Sequence, residues 1–131
     1  LPEYSLWKWI RSRQASVVAL VIVLLGVLGL SLNPRPEAVL GSLSLYDRAE
    51  HFAAYVVLSF FVMRSIDRRN AIPLLLAIAA CAALGGLIEV IQPFVGRRME
   101  LLDFLMDLGG AAVGALVASF IIRMGRAGAK G

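Results

Sequence analysis

The chain has 131 residues, 60% of them hydrophobic, and a mean hydropathy of +0.81. A soluble domain of this size could not bury so much apolar surface, whereas a polytopic membrane protein turns it toward lipid; there is room for about four spans of roughly 20 residues each. The net charge of +4 fits basic loops at a membrane better than a nucleic-acid interface, so no nucleic-acid partner is expected.

Residues 1–14 mix Tyr4, Trp7 and Trp9 with Lys8, Arg11 and Arg13. Rings and cations interleaved in this way favour the headgroup layer. The first span is predicted over about 15–32. It holds no charged residue, which suits a lipid-facing anchor. No small-residue cleavage signal follows it, so it reads as a retained signal anchor. Asn33-Pro34 and Pro36 then stop the helix, because proline lacks the amide donor and restricts the residue before it.

The second span is predicted over about 47–66. Asp47 and Glu50 have the spacing of a capping box at its start, and Arg64, Asp67, Arg68 and Arg69 close it with a polar turn. The third is predicted over about 71–92, with Asn70 as N-cap and Pro93 as the stop. It is rich in Ala and Gly, which let helix backbones approach closely in lipid; the lone cysteine, Cys81, reads as a small packing residue there. The fourth is predicted over about 103–123. Its Gly110-x-x-x-Gly114 face is expected to meet the third span, and the Gly/Ala-rich tail after Arg123 to be disordered.

The expected architecture is therefore all-α, an integral membrane four-helix bundle forming a single domain over residues 1–131. Nine of the thirteen Lys and Arg lie at the N-terminus, between spans two and three, or at the C-terminus. By the positive-inside rule both termini are cytoplasmic. Seven of the nine acids run the other way, toward the outer side.

Those outer-side groups form the candidate site. Asp47, His51 and Tyr55 are spaced i, i+4, i+8 on span two and share a face. Glu89 and Gln92 fall on the last turn of span three, and Asp103 and Asp107 on the first turns of span four. Arg97 and Arg98 lie in the short loop above them. Asp47 and Asp103 have a bland explanation as helix-start residues. His51 could be a hydrogen-bonded structural histidine, and Tyr55 ordinary packing. Glu89 and Asp107 resist such readings: the first is at a helix C-terminus, where acids are disfavoured, and the second is a turn too deep for a cap. Glu89 needs a partner, with Arg97 or His51 the best placed. Acids within a membrane default to function.

Three blocks of sequence carry a family resemblance. Asp47-Arg48-Ala49-Glu50-His51-Phe52-Ala53-Ala54-Tyr55-Val56-Val57-Leu58 holds an H-F-x-x-Y-x-x-L pattern. Ile88-Glu89-Val90-Ile91-Gln92-Pro93-Phe94 holds I-E-x-x-Q-x-F. Gly96-Arg97, then Asp103, Asp107 and Gly110, matches G-R-x-x-x-x-x-D-x-x-x-N-x-x-G except for Asp107 in place of Asn. In order and spacing these resemble VanZ-like membrane proteins over about residues 47–114. Asp107 for Asn adds a charge and removes a donor, and Glu100 replaces a small or hydroxyl residue. The resemblance implies a small four-helix protein of the bacterial inner membrane. It also implies a link to glycopeptide-antibiotic resistance, since the family is named for a member associated with low-level teicoplanin resistance. It supplies no catalytic residue.

Three functions compete. The first is a non-enzymatic cell-envelope protein whose outer-leaflet pocket binds the headgroup of an amphiphile: a lipid-linked glycan precursor, a phospholipid or a lipoglycopeptide. Asp47, His51, Glu89, Gln92, Arg97, Arg98, Asp103 and Asp107 would line it, with arginine pairing to phosphate or carboxylate. The second is a membrane hydrolase or transferase acting on a lipid headgroup, with His51 as base or nucleophile, Asp47 orienting it, and Glu89 or Asp107 as acid or holding a divalent cation with Asp103. The third is an assembly subunit with a membrane-protein partner or a second copy of the chain. No cofactor is expected. The Asp103-x-x-x-Asp107 spacing is compatible with Mg²⁺ but common by chance, so no metal is assigned.

Overall fold

A computed structural model describes residues 11–34, 44–66 and 73–128, with side chains from residue 48 onward in the second stretch. Among the described residues the protein is all-helical, with helices α1 (Arg13–Ser31), α2 (Ser44–Ser65), α3 (Pro73–Ile91) and α4 (Leu101–Gly128) and a 3-10 turn, Gln92–Val95. The aromatic N-terminal stretch up to residue 10 and the Asn70 cap lie outside the described residues.

The helix ends follow the local chemistry, with shifts. Ser12 caps α1 by accepting from the Ala15 amide at 3.1 Å, so the helix starts two residues earlier than its apolar run. α2 also starts early, at Ser44. Asp47 is its fourth residue and not its cap, which corrects the capping-box reading; the Asp47 side chain itself lies outside the described residues. α3 ends at Ile91, and Pro93 begins the 3-10 turn in place of another helical turn. Gly96 then turns the chain in the left-handed region (φ 78°), a conformation glycine adopts without steric cost. The tail expected to be disordered is helical through Arg123 and Arg126 to Gly128.

The burial pattern is inside-out relative to a soluble protein. Leu75, Leu76, Leu87, Val90, Leu116, Phe120 and Ile121 are exposed, whereas Ser59, Gln92, Glu89, Asp103 and Asp107 are buried. α1, the segment Pro73–Val95 and α4 are long and apolar enough to cross a membrane. α2 does not meet that standard, since every 18-residue stretch of it carries at least three charged residues. It packs on α1, α3 and α4 and buries His51, Tyr55 and Ser59 against its neighbours.

The tightest seam is between α2 and α4. A Cβ on Gly110 would collide with the Phe52 carbonyl, and one on Gly114 with the Val56 carbonyl and the Ser59 hydroxyl. The G-x-x-x-G face therefore meets α2, not α3 as the sequence suggested. Ser59 is buried there and returns its own proton to the Val56 carbonyl at 3.3 Å, so the small polar residue brings no unmet donor into the seam. On the α3 side, Ala77, Ala115 and Ala118 pack with Met63. Cys81 is buried in the apolar core with Tyr55, Leu58 and Ile88.

Cross-helix bonds fix an antiparallel arrangement. At one end Arg13 donates to the Ser65 carbonyl at 2.8 Å, and Arg64 to the Ser16 hydroxyl at 3.2 Å. At the other end the C-termini of α1 and α3 meet the N-terminal halves of α2 and α4. That second end holds the candidate site.

Candidate functional site

The site is assembled from three helices and one loop. On α2, Arg48, His51 and Tyr55 fall at i, i+3, i+7 and so share a face. On α4, Asp103 and Asp107 are one turn apart and both are buried. α3 contributes Glu89, and the turn after it Gln92.

His51 is the hub. Its Nδ1 lies 2.9 Å from Asp107 Oδ1, and its Nε2 3.9 Å from Asp103 Oδ2. Asp103 is approached from above by Arg48, whose Nε is 3.9 Å from Oδ1, and the same guanidinium reaches Glu100 at 3.6 Å. Among the described side chains, the acid that orients the imidazole is Asp107 of α4. Arg48 is a member of the site that the sequence reading missed, although its i, i+3 relation to His51 was the available signal.

Glu89 has a different partner from either one expected. Its Oε2 accepts from the backbone N–H of Glu100 at 2.8 Å. The first amides of a helix have no partner within it, and here a carboxylate from the preceding helix satisfies one at the start of α4. An acid at the end of α3 is therefore a cap after all, for the next helix. With its amide turned so that nitrogen faces the acid, Gln92 donates to Glu89 Oε2 at 3.2 Å and to the Arg98 carbonyl at 3.3 Å. In the opposite orientation it donates to the Ser31 carbonyl at 3.3 Å. Either way this fully buried amide ties the α3–α4 connection to its surroundings.

Asp107 Oδ2 and the Tyr55 hydroxyl are among the buried polar atoms of this region with no hydrogen-bond partner. Both pack against Gly85 of α3. A Cβ there would lie 2.9 Å from Asp107 Oδ2 and 3.3 Å from the Tyr55 oxygen. Tyr55 is core packing, as the sequence suggested, with Leu58, Cys81 and Ile88, and its hydroxyl lies beside Gly85.

The arginines divide. Arg97 folds back over the end of α1, with Nη1 donating to the Leu30 carbonyl at 3.0 Å. Arg98 is exposed and joins the site through its backbone carbonyl. Arg97 stands at one end of a cavity of about 360 Å³ between α1 and α2. Val23, Gly26, Val27 and Leu30 form one wall, and Ala53, Ala54 and Val57 the other, with Ser31, Glu50 and His51 beside Arg97. His51 therefore touches both the carboxylate cluster and the cavity.

The structure brings together His51, Glu89, Gln92, Asp103 and Asp107. It places Arg97 at the neighbouring cavity and Arg98 at the rim. Asp47 lies outside the described side chains. Among the described residues, the group compact enough for a metal ion is His51, Glu89 and Asp107; Asp103, named with Asp107 on spacing alone, flanks it. No protein-family model, curated protein or solved structure matches the chain.

Proposed function

We propose that the chain is a multi-pass membrane protein that binds an amphiphile, with the acyl portion in the α1–α2 groove and the headgroup at its polar end. On this reading all four helices cross the bilayer, α2 being shielded by the other three. Both termini face the cytoplasm, and the polar end faces the outer leaflet. The membrane would be the bacterial inner membrane and the chain VanZ-like, with lipid-linked glycan precursors, phospholipids and lipoglycopeptides as the candidate ligands.

The observation that carries this reading is the shape and polarity of the cavity. Its walls are aliphatic along α1 and α2, and its polar residues gather at the Arg97 end. That is the division of an amphiphile, and it fits the general form of a ligand site, mostly apolar with a few placed polar groups. The groove runs along α2 from Glu50 to Val57, about 11 Å at 1.5 Å per residue, which is room for part of an acyl chain beside the helix. A guanidinium at the mouth matches phosphate or carboxylate.

The test is binding in nanodiscs with each ligand class. Arg97→Ala should weaken binding of an anionic amphiphile by about tenfold, the equivalent of losing one charge-assisted contact. Unchanged affinity for every class tried would end the proposal.

A second reading is favoured by the 2.9 Å His51–Asp107 pair, because the imidazole also opens on the cavity. An oriented imidazole at a headgroup could act as general base in hydrolysis or transfer. Release of a headgroup product from a labelled lipid, abolished in both His51→Ala and His51→Asn, would establish that reading. Activity retained in His51→Asn would indicate positioning and not proton transfer.

A further inference from the structure

We propose that His51, Glu89 and Asp107 form a binding site for a divalent transition-metal ion, with the Tyr55 hydroxyl on the same side of Gly85 as Asp107. The inference goes beyond the amphiphile reading, since the ion would sit on the α3–α4 side of His51 and the groove lies on the α1 side.

Geometry comes first. One donor atom from each of the three residues lies within 4.8 Å of the others, and all three residues are buried. Donors around a tetrahedral ion stand about 3.4 Å apart at ordinary metal–ligand distances. Side-chain adjustments of up to about 1.4 Å in donor separation therefore close the set around an ion.

The unmet groups supply a second, independent observation. Asp107 Oδ1 is engaged by His51 and Glu89 Oε2 by the Glu100 amide, but Asp107 Oδ2 has no hydrogen-bond partner, and neither does the Tyr55 oxygen. Tyr55 is 1% exposed. Both atoms pack against Gly85 of α3, where a Cβ would come within 2.9 Å of Asp107 Oδ2 and 3.3 Å of the Tyr55 oxygen. A buried acceptor and a buried hydroxyl left unsatisfied are costly, and an ion bound at Asp107 would engage the free carboxylate oxygen.

Charge selects the guest. Carboxylate oxygens of Glu89 and Asp107 lie within 4.8 Å of each other, and Asp103 adds a third acid 3.9 Å from the imidazole. Like charges this close in a medium of low polarity repel strongly. A water molecule would meet the hydrogen-bonding need but not the charge, whereas a divalent cation meets the charge and takes the lone pairs of the carboxylate oxygens. A set of one imidazole nitrogen with carboxylate oxygens suits Zn²⁺ or Mn²⁺. The Glu100 amide, which holds Glu89, would be the outer group that orients that ligand.

The test uses the full chain in nanodiscs, stripped with chelator and titrated separately with Zn²⁺ and Mn²⁺ by calorimetry. Co²⁺ absorption bands would report the coordination. One ion per chain is expected, with a rise in the thermal unfolding midpoint on binding. Asp107→Asn should weaken binding at least about tenfold. Glu89→Gln should do the same while keeping an oxygen for the Glu100 amide, so the fold survives. Gly85→Ala should also weaken it, by crowding Asp107 Oδ2. Leu116→Ala, on the outer face, should bind as the wild type does. No saturable binding of either ion by the wild-type chain would overturn the proposal, and so would unaltered affinity in both Glu89→Gln and Asp107→Asn.

Discussion

The two long seams made by α2 differ in kind. Against α4 it closes backbone to backbone, because Gly110 and Gly114 leave no Cβ between the helices. Against α1 it meets Val23, Val27 and Leu30 through Ala53, Ala54 and Val57, and a cavity of about 360 Å³ remains. Lipid tails are as apolar as leucine, so burying aliphatic side chains drives helices together only weakly; close packing and polar contacts decide. α4 supplies both to α2: glycines for the approach, and Asp103 and Asp107 for the polar bonds. α1 supplies mainly branched side chains, with its polar contacts confined to the ends, at Arg13, Ser16 and the Leu30 carbonyl. A tight seam carries the fold and a loose one leaves space for a guest.

The contrast can be broken most severely from the tight side. Gly114→Val would drive a side chain into the Val56 carbonyl and the Ser59 hydroxyl. Overpacking of a close interface costs about 1–3 kcal/mol, and more where backbone must move; the upper end or beyond is expected, read as loss of the folded form in detergent titration. Asp107→Ala should come next. It removes the charged partner of a buried imidazole, at a cost of roughly 1.5–3 kcal/mol. Glu89→Ala should cost about 1–2 kcal/mol by stranding the Glu100 amide, and Glu89→Gln markedly less, because its amide oxygen still accepts. If Ala and Gln behaved alike, the cap assigned to Glu89 would be wrong.

Much of this difference was legible in the sequence, though not its pairing. Apolar runs bounded by Pro34 and Pro93 located the helices to within a few residues. The i, i+4 spacings of Asp47/His51 and Asp103/Asp107 put the polar groups on single faces, and that much required only the helical period. Which helix each face met could not be read, because a G-x-x-x-G face states that a close partner exists and not which one. Gly110 and Gly114 thus went to α2, where Phe52 and Val56 expose carbonyls. Glu89 was misjudged for a related reason. The rule against acids at helix C-termini is local, and its partner, the Glu100 amide, lies eleven residues on, across a turn. The grouping of His51 with Glu89 and Asp107 was likewise hidden, since it requires three helices in register, whereas the sequence offered Glu89 or Asp107 with Asp103 as cation holders. Arg48 was overlooked between two acids of its own helix.

The loose seam gives the smallest effect on stability and the sharpest on function. Gly26 lines the cavity, and a Cβ placed on it would touch nothing within 4 Å. Gly26→Phe should therefore fold with wild-type stability to within about 0.5 kcal/mol; α1 even loses a poor helix former in the exchange. The new ring would occupy the groove between Val23 and Leu30. If that groove holds the acyl portion of an amphiphile, nanodisc binding should fall at least about tenfold, as occupied volume excludes the guest. Binding that survived a filled groove would place the ligand elsewhere, and the gap between α1 and α2 would then be only the consequence of imperfect packing between two branched surfaces.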